Sequence, residues 1–447
     1  MNEFPYTISN LKIEKCVHQR YGLAHHEGSA VFIENALPGD VIHAEILYKK
    51  KTNLFGKTQS IIQPSPLRKQ ERCELAARCG GCDWVNIDYS DQLQLKNEIL
   101  KDIYRPLQEQ VLIKSITASD QTDYYRNKSF MPLSLNEEIP VYGMYARSSH
   151  EVVSQKHCYI HPPVFNQIAD EIIDYIQKSH AQIYNEKSFS GNLRHIGVRS
   201  NHDHTEILLI LVTKNRKLPF TNLLLRQIQE NFPQVCGIIQ NIQPHNSNVI
   251  LGQEDKLLFG RYYLNEKLNH LSFKIHYKAF FQVNLPQANA MYQLIRSLSG
   301  TGKVVLDAYS GTGTIGISLA DIHQEIICVE SNPEASENAR ENANINSIRN
   351  ISFIQGEVER VLPDLMRDKQ IDLIVFDPPR KGLDDKIIDL IASLNIPEVI
   401  YMSCNPSTQC RDLIRFLKQG YQTSQIIPFD MFPHTWHIES LCLLKRR

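Results

Sequence analysis

The sequence predicts a multidomain α/β protein with a small N-terminal β-barrel, a central α+β domain that carries a cysteine cluster, and a C-terminal Rossmann-like domain. Three observations carry this prediction. The chain has 447 residues, enough for roughly two to four domains. Short strand-like runs precede a proline-rich linker near residue 64, and apolar strands alternate with helical segments after Gly302. We therefore divide the chain into residues 1–64, 65–285 and 286–447.

Charge and composition exclude several classes of protein. Lysine and arginine total 48 against 49 acidic residues, so any nucleic-acid binding must come from local patches. The first ten residues lack a secretion-signal pattern, and the longest plain apolar run, Ile207–Val212, is far too short to span a bilayer. We expect a soluble, cytoplasmic protein with no membrane association and no obligate protein partner. In such a chain, ten cysteines indicate metal or catalytic use rather than disulfides.

The N-terminal unit shows strand patterns beside a local basic edge. Val31–Ile33 and Val41–Ile46 are strand-like, and Pro38–Asp40 supplies the turn between them. Lys49–Lys51 and Lys57 form the basic edge. This edge is either a solvated charge run or a contact for an RNA backbone.

Four cysteines suggest a metal centre. Cys73, Cys79 and Cys82 fall within ten residues, and Cys158 follows far downstream. Tetrahedral zinc and an iron–sulfur cluster both fit four thiolates, and the spacing does not choose between them. The alternative is a set of reduced structural cysteines without metal. A metal held by such distant ligands would join two segments of the chain and would be chiefly structural.

The central region alternates helical and strand-like stretches. Asp91–Leu100 has the pattern of a helix, and Glu206–Val212 that of a strand. Tyr124–Lys128 combines two aromatic rings with two cations. Such a set can stack bases and neutralise phosphates, but buried tyrosines beside surface cations are equally common.

The C-terminal third contains a strand, a glycine turn and a helix in succession. Val304–Leu306 is an apolar strand, Asp307–Thr314 is the glycine-containing loop, and Ile315–Ala320 begins a helix. The next strand, Ile326–Val329, ends in Glu330, where an acid can accept ribose hydroxyls. The loop lacks the dinucleotide fingerprint and instead resembles motif I of S-adenosylmethionine-dependent methyltransferases.

A further strand, Ile371–Phe376, is followed by Asp377-Pro378-Pro379-Arg380. Amino-methylating enzymes carry a similar Pro-Pro motif with an aromatic residue next, which packs on the target base. Because Arg380 stands at that place, an exocyclic amine is a less favoured target.

Cys404 ends the next apolar strand, which contains Val399–Tyr401. Open α/β sheets bind ligands at this edge, and a thiolate there is a strong nucleophile. The competing interpretation is a small core residue. Downstream, Phe432–Glu439 brings a carboxylate towards the same region. Glu439 could also be a surface charge, and His434 and His437 ordinary turn or core histidines.

Taken in order, these motifs resemble one family, the RNA (uracil-5-)-methyltransferases, and within it the branch that acts on 23S ribosomal RNA. The resemblance spans nearly the whole chain and includes Phe280–Asn284. Tyr21–Ala24 and Leu37–Asp40, with the lysine cluster, resemble a TRAM domain, an OB-like barrel attached to RNA-modifying enzymes. The C-terminal domain would then have the class I methyltransferase fold.

The resemblance also implies ligands and roles. It implies a [4Fe-4S] cluster held by four cysteines, namely Cys73, Cys79, Cys82 and Cys158. It implies an S-adenosylmethionine site lined by Gln282, Tyr309, Glu330 and Asp377. Cys404 would be the nucleophile and Glu439 the base. The partner would be 23S rRNA before or during ribosome assembly.

The chemistry requires these residue types. Uracil C5 is a poor nucleophile, and thiolate addition at C6 turns the ring into an enolate that can attack an electrophilic methyl group. A carboxylate must then remove the C5 proton. Cytosine-5 enzymes of RNA usually use two cysteines, whereas Cys404 stands alone and Asp377-Pro378 lacks a second thiol. Uracil is therefore preferred, and the base must leave its stack to react.

Three alternatives remain open from the sequence. The same chemistry could act on a tRNA loop, although relatives of that type usually lack the TRAM unit and the cysteine cluster. The chain could be a non-catalytic RNA-binding or chaperone-like protein, or an iron–sulfur electron-transfer protein. An essential Cys404 would argue against the last two.

Overall fold

The computed structural model describes residues 4–447, without the side chain at position 368. Residues 1–3 lie outside this range. They belong to the expected N-terminal unit and to the ten residues in which we expect no secretion signal. The described residues form four β-sheets, of six, seven, two and nine strands. No helix within residues 4–447 is long and apolar enough to cross a bilayer.

The six-stranded sheet is N-terminal and has the order β1-β5-β6-β4-β3-β2. The strands expected at Val31–Ile33 and Val41–Ile46 are confirmed within β4 and β5. Alternate side chains such as Ile33 and Ile42 pack into one apolar core. Closure into a TRAM-like barrel stays a prediction. The bounds are β1 Tyr6–Lys12, β2 Lys15–Val17, β3 Tyr21–His26, β4 Ser29–Glu34, β5 Val41–Lys50 and β6 Asn53–Gln63.

The next segment packs on the C-terminal sheet. The helix expected at Asp91–Leu100 is confirmed as α1, Tyr89–Ile103. Its Leu95 and Ile99 share a core with strands of the C-terminal domain. The short strand β7, Leu112–Ile113, adds to the edge of the nine-stranded sheet. This segment, placed in the central unit by the sequence, thus contributes to the C-terminal core, and the domain boundaries themselves stay a prediction.

The seven-stranded sheet has the order β10-β9-β8-β11-β12-β13-β14, and helices α2 and α3 cover one face. The strand expected at Glu206–Val212 is confirmed as the wholly buried β12. The other face shares a core with the hairpin β15–β16 and with the C-terminal domain. The bounds are β8 Lys128–Asn136, β9 Ile139–Tyr145, β10 Val152–Ser154, α2 Pro163–Ser179, β11 Leu193–Ser200, β12 Ile207–Thr213, α3 Thr221–Asn231, β13 Val235–Ile242, β14 Glu254–Gly260, β15 Tyr263–Leu268 and β16 Leu271–His276.

The nine-stranded sheet is the C-terminal α/β domain. Its order is β19-β18-β17-β20-β21-β24-β23-β7, and β22 pairs with β24. The five strands from β17 to β21 pair in parallel, whereas β24 runs antiparallel to β21. The bounds are α4 Leu285–Ser299, β17 Val304–Ala308, α5 Thr314–Leu319, β18 Glu325–Glu330, α6 Pro333–Ile345, β19 Ile351–Gln355, α7 Val358–Asp368, β20 Leu373–Phe376, α8 Asp385–Ser393, β21 Glu398–Ser403, α9 Pro406–Lys418, β22 Tyr421–Gln422, β23 Gln425–Phe429 and β24 Glu439–Arg446.

The topology creates a natural binding edge. The strand order reverses between β17 and β20, and ligands of open α/β sheets bind beyond the carboxyl ends of strands at such a point. Strands β17, β18, β20 and β21 all end at this edge. Because β24 is antiparallel to β21, its first residue, Glu439, starts there. The Rossmann-like expectation is confirmed at the level of a parallel α/β sheet.

Candidate active site

The glycine turn after β17 is fastened to the end of β18. Glu330 Oε2 accepts a hydrogen bond from the Gly311 amide at 2.9 Å, and Glu330 Oε1 accepts from the Asn332 amide at 2.7 Å. Tyr309, Gly311 and Gly313 have positive φ angles of 64°, 54° and 77°, a conformation that favours glycine. The turn therefore places backbone N–H groups and one carboxylate together at the carboxyl edge of the sheet.

Tyr309 lies at the same edge. Its hydroxyl donates to Glu359 Oε1 at 2.8 Å, and its ring lies 6.3 Å from that of Phe376 at the end of β20. The aromatic ring thus spans the space between β17 and β20, at the point where the strand order reverses.

Asp307 joins the end of β17 to α5 across the turn. This role was not predicted from the sequence. Its Oδ2 accepts from the Gly316 amide in α5 at 2.8 Å. Its Oδ1 lacks a hydrogen-bond partner within the described part of the chain. Burial raises the pKa of Asp307 to about 7 because the charged carboxylate is poorly solvated.

Cys404 lies one residue beyond β21 and two residues before α9. Its side chain is half-buried. Burial, followed by the nearby carboxylates of Glu439 and Asp377, raises the pKa of Cys404 to about 11, whereas Arg380 opposes this rise. The thiol is therefore protonated near neutral pH and becomes nucleophilic only when its environment favours the thiolate.

The loop around Cys404 is tied to the loop after β20. The Asn405 side chain accepts from the Ser407 amide at 3.2 Å, which caps α9. The same side chain donates from Nδ2 to the carbonyl oxygen of Arg380 at 3.0 Å. Asn405 thereby fixes Cys404 relative to Asp377–Arg380.

Glu439 stands beside Cys404. The antiparallel register pairs Ser403 with Ser440. Cys404, which follows Ser403, and Glu439, which precedes Ser440, therefore meet at the same edge. Glu439 is only 5% exposed. Burial, with the charge of Asp377, raises its pKa well above the usual value, and Arg380 acts in the opposite direction. The structure thus brings Cys404, Glu439 and Asp377 together.

Two further residues complete the picture of this edge. Burial raises the pKa of Asp377 to about 7. Tyr292 of α4, which sequence reasoning missed, is buried with its hydroxyl 3.4 Å from Thr314 Oγ1. After burial, the charges of Asp377, Asp307 and Glu439 further raise the Tyr292 pKa. Its only sequence signal was a helical position before motif I.

Gln282 lies between the central sheet and the C-terminal domain. It is buried just before α4, and its carbonyl oxygen accepts from Asn127 Nδ2 at 3.4 Å. The other three expected cofactor residues, Tyr309, Glu330 and Asp377, lie at the ends of β17, β18 and β20.

The rim of the site combines cations and aromatic rings. Arg380 Nη2 lies 3.4 Å from His437 Nδ1, and burial together with Arg380 lowers the pKa of His437 to about 3. His18 from the N-terminal sheet packs edge-on against Trp436 at 4.8 Å and lies 3.2 Å from Ser407 Oγ. The turn between β2 and β3 of the N-terminal sheet therefore contacts the carboxyl edge of the C-terminal sheet.

The Tyr124–Lys128 segment divides between core and surface. Tyr125 is buried and donates to the carbonyl oxygen of Pro433 at 3.1 Å, so it serves the core. Tyr124 and Arg126 are half-buried. Burial lowers the pKa of Lys128 to about 7, with Arg199 and Arg126 adding to the effect.

The four expected metal ligands lie near one another. Burial raises the pKa of Cys79 and Cys82, and the neighbouring Cys158 adds to both shifts. The same two causes, burial and the neighbouring Cys158, raise the pKa of Cys73. Burial of Cys158 would raise its pKa, but hydrogen bonding and charge from His161 outweigh burial and lower it to about 7. Within residues 4–447, no set of three or more His, Cys, Asp or Glu side chains is grouped so that it could hold a metal ion.

Comparison with known proteins places this architecture. The family model for tRNA (uracil-5-)-methyltransferases matches residues 88–447. An RNA methyltransferase of Fusobacterium nucleatum, named as uncharacterized, is 34% identical over 445 residues, covering 98% of this chain and 96% of the relative. One from Clostridium acetobutylicum, named likewise, is 35% identical over 433 residues, covering 95% and 94%.

A solved structure shows the same fold. The tRNA (uracil-54, C5)-methyltransferase of Pyrococcus abyssi, in complex with S-adenosyl-L-homocysteine, has a TM-score of 0.77 and 24% identity to this chain. The match covers 97% of this chain and all of that one. The family match, the relatives and the strand order at the carboxyl edge all identify the same family. The chain belongs to the tRNA (uracil-5-)-methyltransferase family and is an S-adenosylmethionine-dependent RNA (uracil-5-)-methyltransferase.

Proposed function

We propose that this enzyme methylates C5 of a specific uridine in 23S ribosomal RNA, with Cys404 as the nucleophile and Glu439 as the base. One observation carries the proposal. The Ser403–Ser440 register brings a thiol and a buried carboxyl to the same edge of the sheet, beside Asp377. Addition of the thiol and removal of a proton are the two events that uracil-5 chemistry needs.

Cys404 acts first. Its thiolate adds to C6 of the flipped uracil, and the ring electrons move to form an enolate. C5 of that enolate then forms its new bond to the methyl carbon. S-adenosylmethionine would supply this methyl as an electrophile, with its methyl–sulfur bond breaking as the new bond forms, and would leave as S-adenosylhomocysteine. Arg380, which lowers the pKa of Cys404, favours the thiolate that this step requires.

Glu439 acts second. Its carboxylate takes the C5 proton, the electrons of that C–H bond restore the C5–C6 double bond, and the sulfur leaves C6 as thiolate. In the free protein, burial and the charge of Asp377 raise the pKa of Glu439 and so favour its protonated form, whereas the proposed step needs the carboxylate. A positive charge bound beside Asp377 would favour loss of this proton.

The cofactor site follows from the same edge. We propose that Tyr309, Glu330 and Asp377, with Gln282, line it. Glu330 already accepts two backbone N–H groups, and a carboxylate keeps lone pairs for ribose hydroxyls. Burial alone raises the pKa of Asp377, so a cationic sulfonium fits the charge that this carboxyl would otherwise leave unbalanced.

We also propose that Cys73, Cys79, Cys82 and Cys158 hold a [4Fe-4S] cluster. The support is the resemblance of the ordered motifs, together with the effect of the other three thiols on the pKa of Cys82. Within residues 4–447 the four side chains are not themselves grouped as a set of metal ligands. Such a cluster would supply a covalent staple between two distant segments.

The N-terminal sheet offers a surface for RNA. Phe32, Phe55 and Tyr48 are paired across three adjacent strands, and their rings stack at 5.0 and 5.1 Å. Tyr48 is the exposed end of this row, directly before the exposed Lys49–Lys51. A base stacked on the free face of Tyr48 would extend the row while the lysines contact phosphates.

A tRNA loop is the second candidate substrate. The family model and the Pyrococcus abyssi enzyme both bear tRNA in their names, and that enzyme's fold covers 97% of this chain. An N-terminal sheet therefore does not separate the two substrate classes. The case for 23S rRNA rests on the resemblance of the ordered motifs.

Methyl transfer to purified RNAs tests the proposal. We expect the protein to label unmodified 23S rRNA from a deletion strain, and Cys404→Ala to label none. Mapping 5-methyluridine in that strain should show one or more 23S positions lost. Labelling confined to tRNA would assign the same chemistry to the second candidate, and no labelling of either would contradict the proposal.

A further inference from the structure

The loop between β23 and β24 delivers Glu439 to the site. It comprises residues 430–438, and Glu439 follows as the first residue of β24. Strand pairing with Phe429 and the neighbouring Ser440–Ser403 pair hold the strand itself. The direction in which the chain enters Glu439 depends on how this loop is anchored.

His434 is the most heavily bonded residue of the loop. It is 2% exposed and has a positive φ of 67°, which a non-glycine residue adopts only when its surroundings enforce it. Its backbone N–H donates to Gln92 Oε1 at 2.8 Å. Its carbonyl oxygen accepts from the amides of Asp83 and Trp84 at 2.9 and 3.0 Å.

Both ring nitrogens of His434 are also engaged. Nδ1 lies 3.1 Å from Gln92 Nε2, which donates, so Nδ1 is the acceptor. Nε2 therefore carries the hydrogen and donates to Asp123 Oδ1 at 3.1 Å. Every polar atom of the residue thus bonds to segments that lie hundreds of positions away in sequence.

The rest of the loop is anchored on the same side. Lys96 and Asp430 form a fully buried ion pair at 2.5 Å, and Lys96 also donates to the carbonyl oxygen of Phe432 at 3.2 Å. Thr435 Oγ1 accepts from the His437 amide at 3.2 Å, which closes the final turn before Glu439. His434 is the midpoint between these two anchors.

We propose that His434 is a positioning residue that sets the aim of Glu439 at the C5 proton, an inference that rests on the proposed function. Cys404 is placed by β21 and by the Asn405 cap, and the side-chain hydrogen bonds of His434 go instead to Gln92 and Asp123. Loss of the His434 contacts should therefore leave thiolate addition and methyl transfer intact and slow only proton removal. The intermediate that awaits this step is RNA bonded through C6 to Cys404, already methylated at C5.

His434→Asn tests this directly, since asparagine tolerates the left-handed backbone but cannot make the two ring contacts. With ordinary uridine RNA, we expect turnover to fall on the order of 100-fold, as for a misplaced catalytic group. A methylated, denaturant-resistant protein–RNA adduct should accumulate, as it should for Glu439→Gln. Cys404→Ala should form none.

The matched control is His323→Asn. His323 is also buried and bonds to Ser299 Oγ at 3.0 Å, at the opposite end of the sheet from the carboxyl edge. It should lose stability without accumulating adduct. If His434→Asn fails to fold, Gln92→Leu is the second variant. It removes the amide that bonds to His434 Nδ1 and to the His434 backbone N–H, and it should accumulate the same adduct.

Unchanged turnover in a folded His434→Asn protein would overturn the proposal, and so would reduced turnover without adduct. A wild-type protein that methylates no RNA would overturn the proposed function and this inference with it. Wild-type activity with an adduct-free His434→Asn variant would overturn the inference alone.

Discussion

At the scale of single residues, the site places a thiol and two carboxyls at one edge of the sheet, where burial disfavours the charged form of each. Burial raises the pKa of Cys404 to about 11 and of Asp377 to about 7, and that of Glu439 rises well above its usual value. Proton positions are therefore sensitive to nearby cations. Arg380 is the cation that acts on both Cys404 and Glu439.

Replacing Arg380 by glutamine should make Cys404 a weaker nucleophile. Arg380 lowers the pKa of Cys404, so its loss raises that pKa and reduces the thiolate fraction at any pH below it. We expect alkylation of the Cys404 peptide to slow about three- to tenfold between about pH 7 and pH 9. Both proteins should react faster as pH rises.

Mass spectrometry of the alkylated peptide measures this rate. The control is Arg349→Gln, which removes an exposed arginine just before β19. An Arg380→Gln protein that is alkylated at the wild-type rate would show that this arginine does not tune the thiol.

Residue types carried much of the site prediction. Cys404 and Asp377 were expected at strand ends and Glu439 in the same region, and the structure brings them to one edge. Their assigned roles stay proposals. The contacts of His434 could not be predicted, because Gln92 lies 342 positions away in sequence. No local pattern encodes such a partner.

At the scale of elements, caps and strand ends position the residues that we propose for catalysis. Asn405 is both the N-cap of α9 and the link to the Arg380 carbonyl. A helix cap depends on neighbouring residues, whereas the second bond of Asn405, across to another loop, depends on the fold.

Asn405→Ala should lower both stability and turnover. Loss of the cap should cost about 1 kcal/mol in the free energy of unfolding, measured by urea denaturation. Because Cys404 also loses its tie to the β20 loop, we expect turnover to fall by about tenfold or more.

Asp384→Ala is the comparison, since Asp384 caps α8 through the Lys386 amide at 2.8 Å. It should lose similar stability and keep its turnover. Equal turnover in the two variants would mean that Asn405 is only a cap.

Element prediction succeeded where the physics is local. The apolar runs of β17, β18, β20 and β21 are confirmed, because strands of a parallel sheet buried on both faces are nearly continuous in apolar residues. The pairing of β7 with β23 was not foreseen. A two-residue strand carries too little pattern to indicate its partner.

At the scale of the whole molecule, the N-terminal sheet and the catalytic edge face a common rim. His18 contacts Trp436 and Ser407, so RNA held by the sheet would lie next to Cys404. The formal net charge of the chain, −1, does not indicate an RNA-binding surface, because the basic residues of that surface are a local cluster, Lys49–Lys51.

Changing Lys49, Lys50 and Lys51 together to glutamine should weaken RNA binding in a salt-dependent way. Each lost phosphate contact lowers the slope of log affinity against log salt by about 0.7 for single-stranded RNA. We expect the slope to fall by up to about two, measured by filter binding in a Cys404→Ala background that prevents turnover.

Tyr48→Ala provides the contrast. It should weaken binding through lost stacking while leaving the salt slope unchanged. Exposed Lys217, Lys256 and Lys267, changed together to glutamine, match the charge removed. An equal loss of slope in both triple variants would contradict a specific role for the N-terminal lysines.

Mass spectrometry of anaerobically purified protein, mixed with 5-fluorouridine-containing 23S rRNA fragments and S-adenosylmethionine, tests the central claim most directly. Fluorine at C5 replaces the proton that we propose Glu439 removes, so the reaction should stop at the covalent stage. We predict a methylated, fluorinated RNA adduct on the peptide that contains Cys404. An adduct on another residue, or none with either 23S rRNA or tRNA despite bound S-adenosylmethionine, would contradict it.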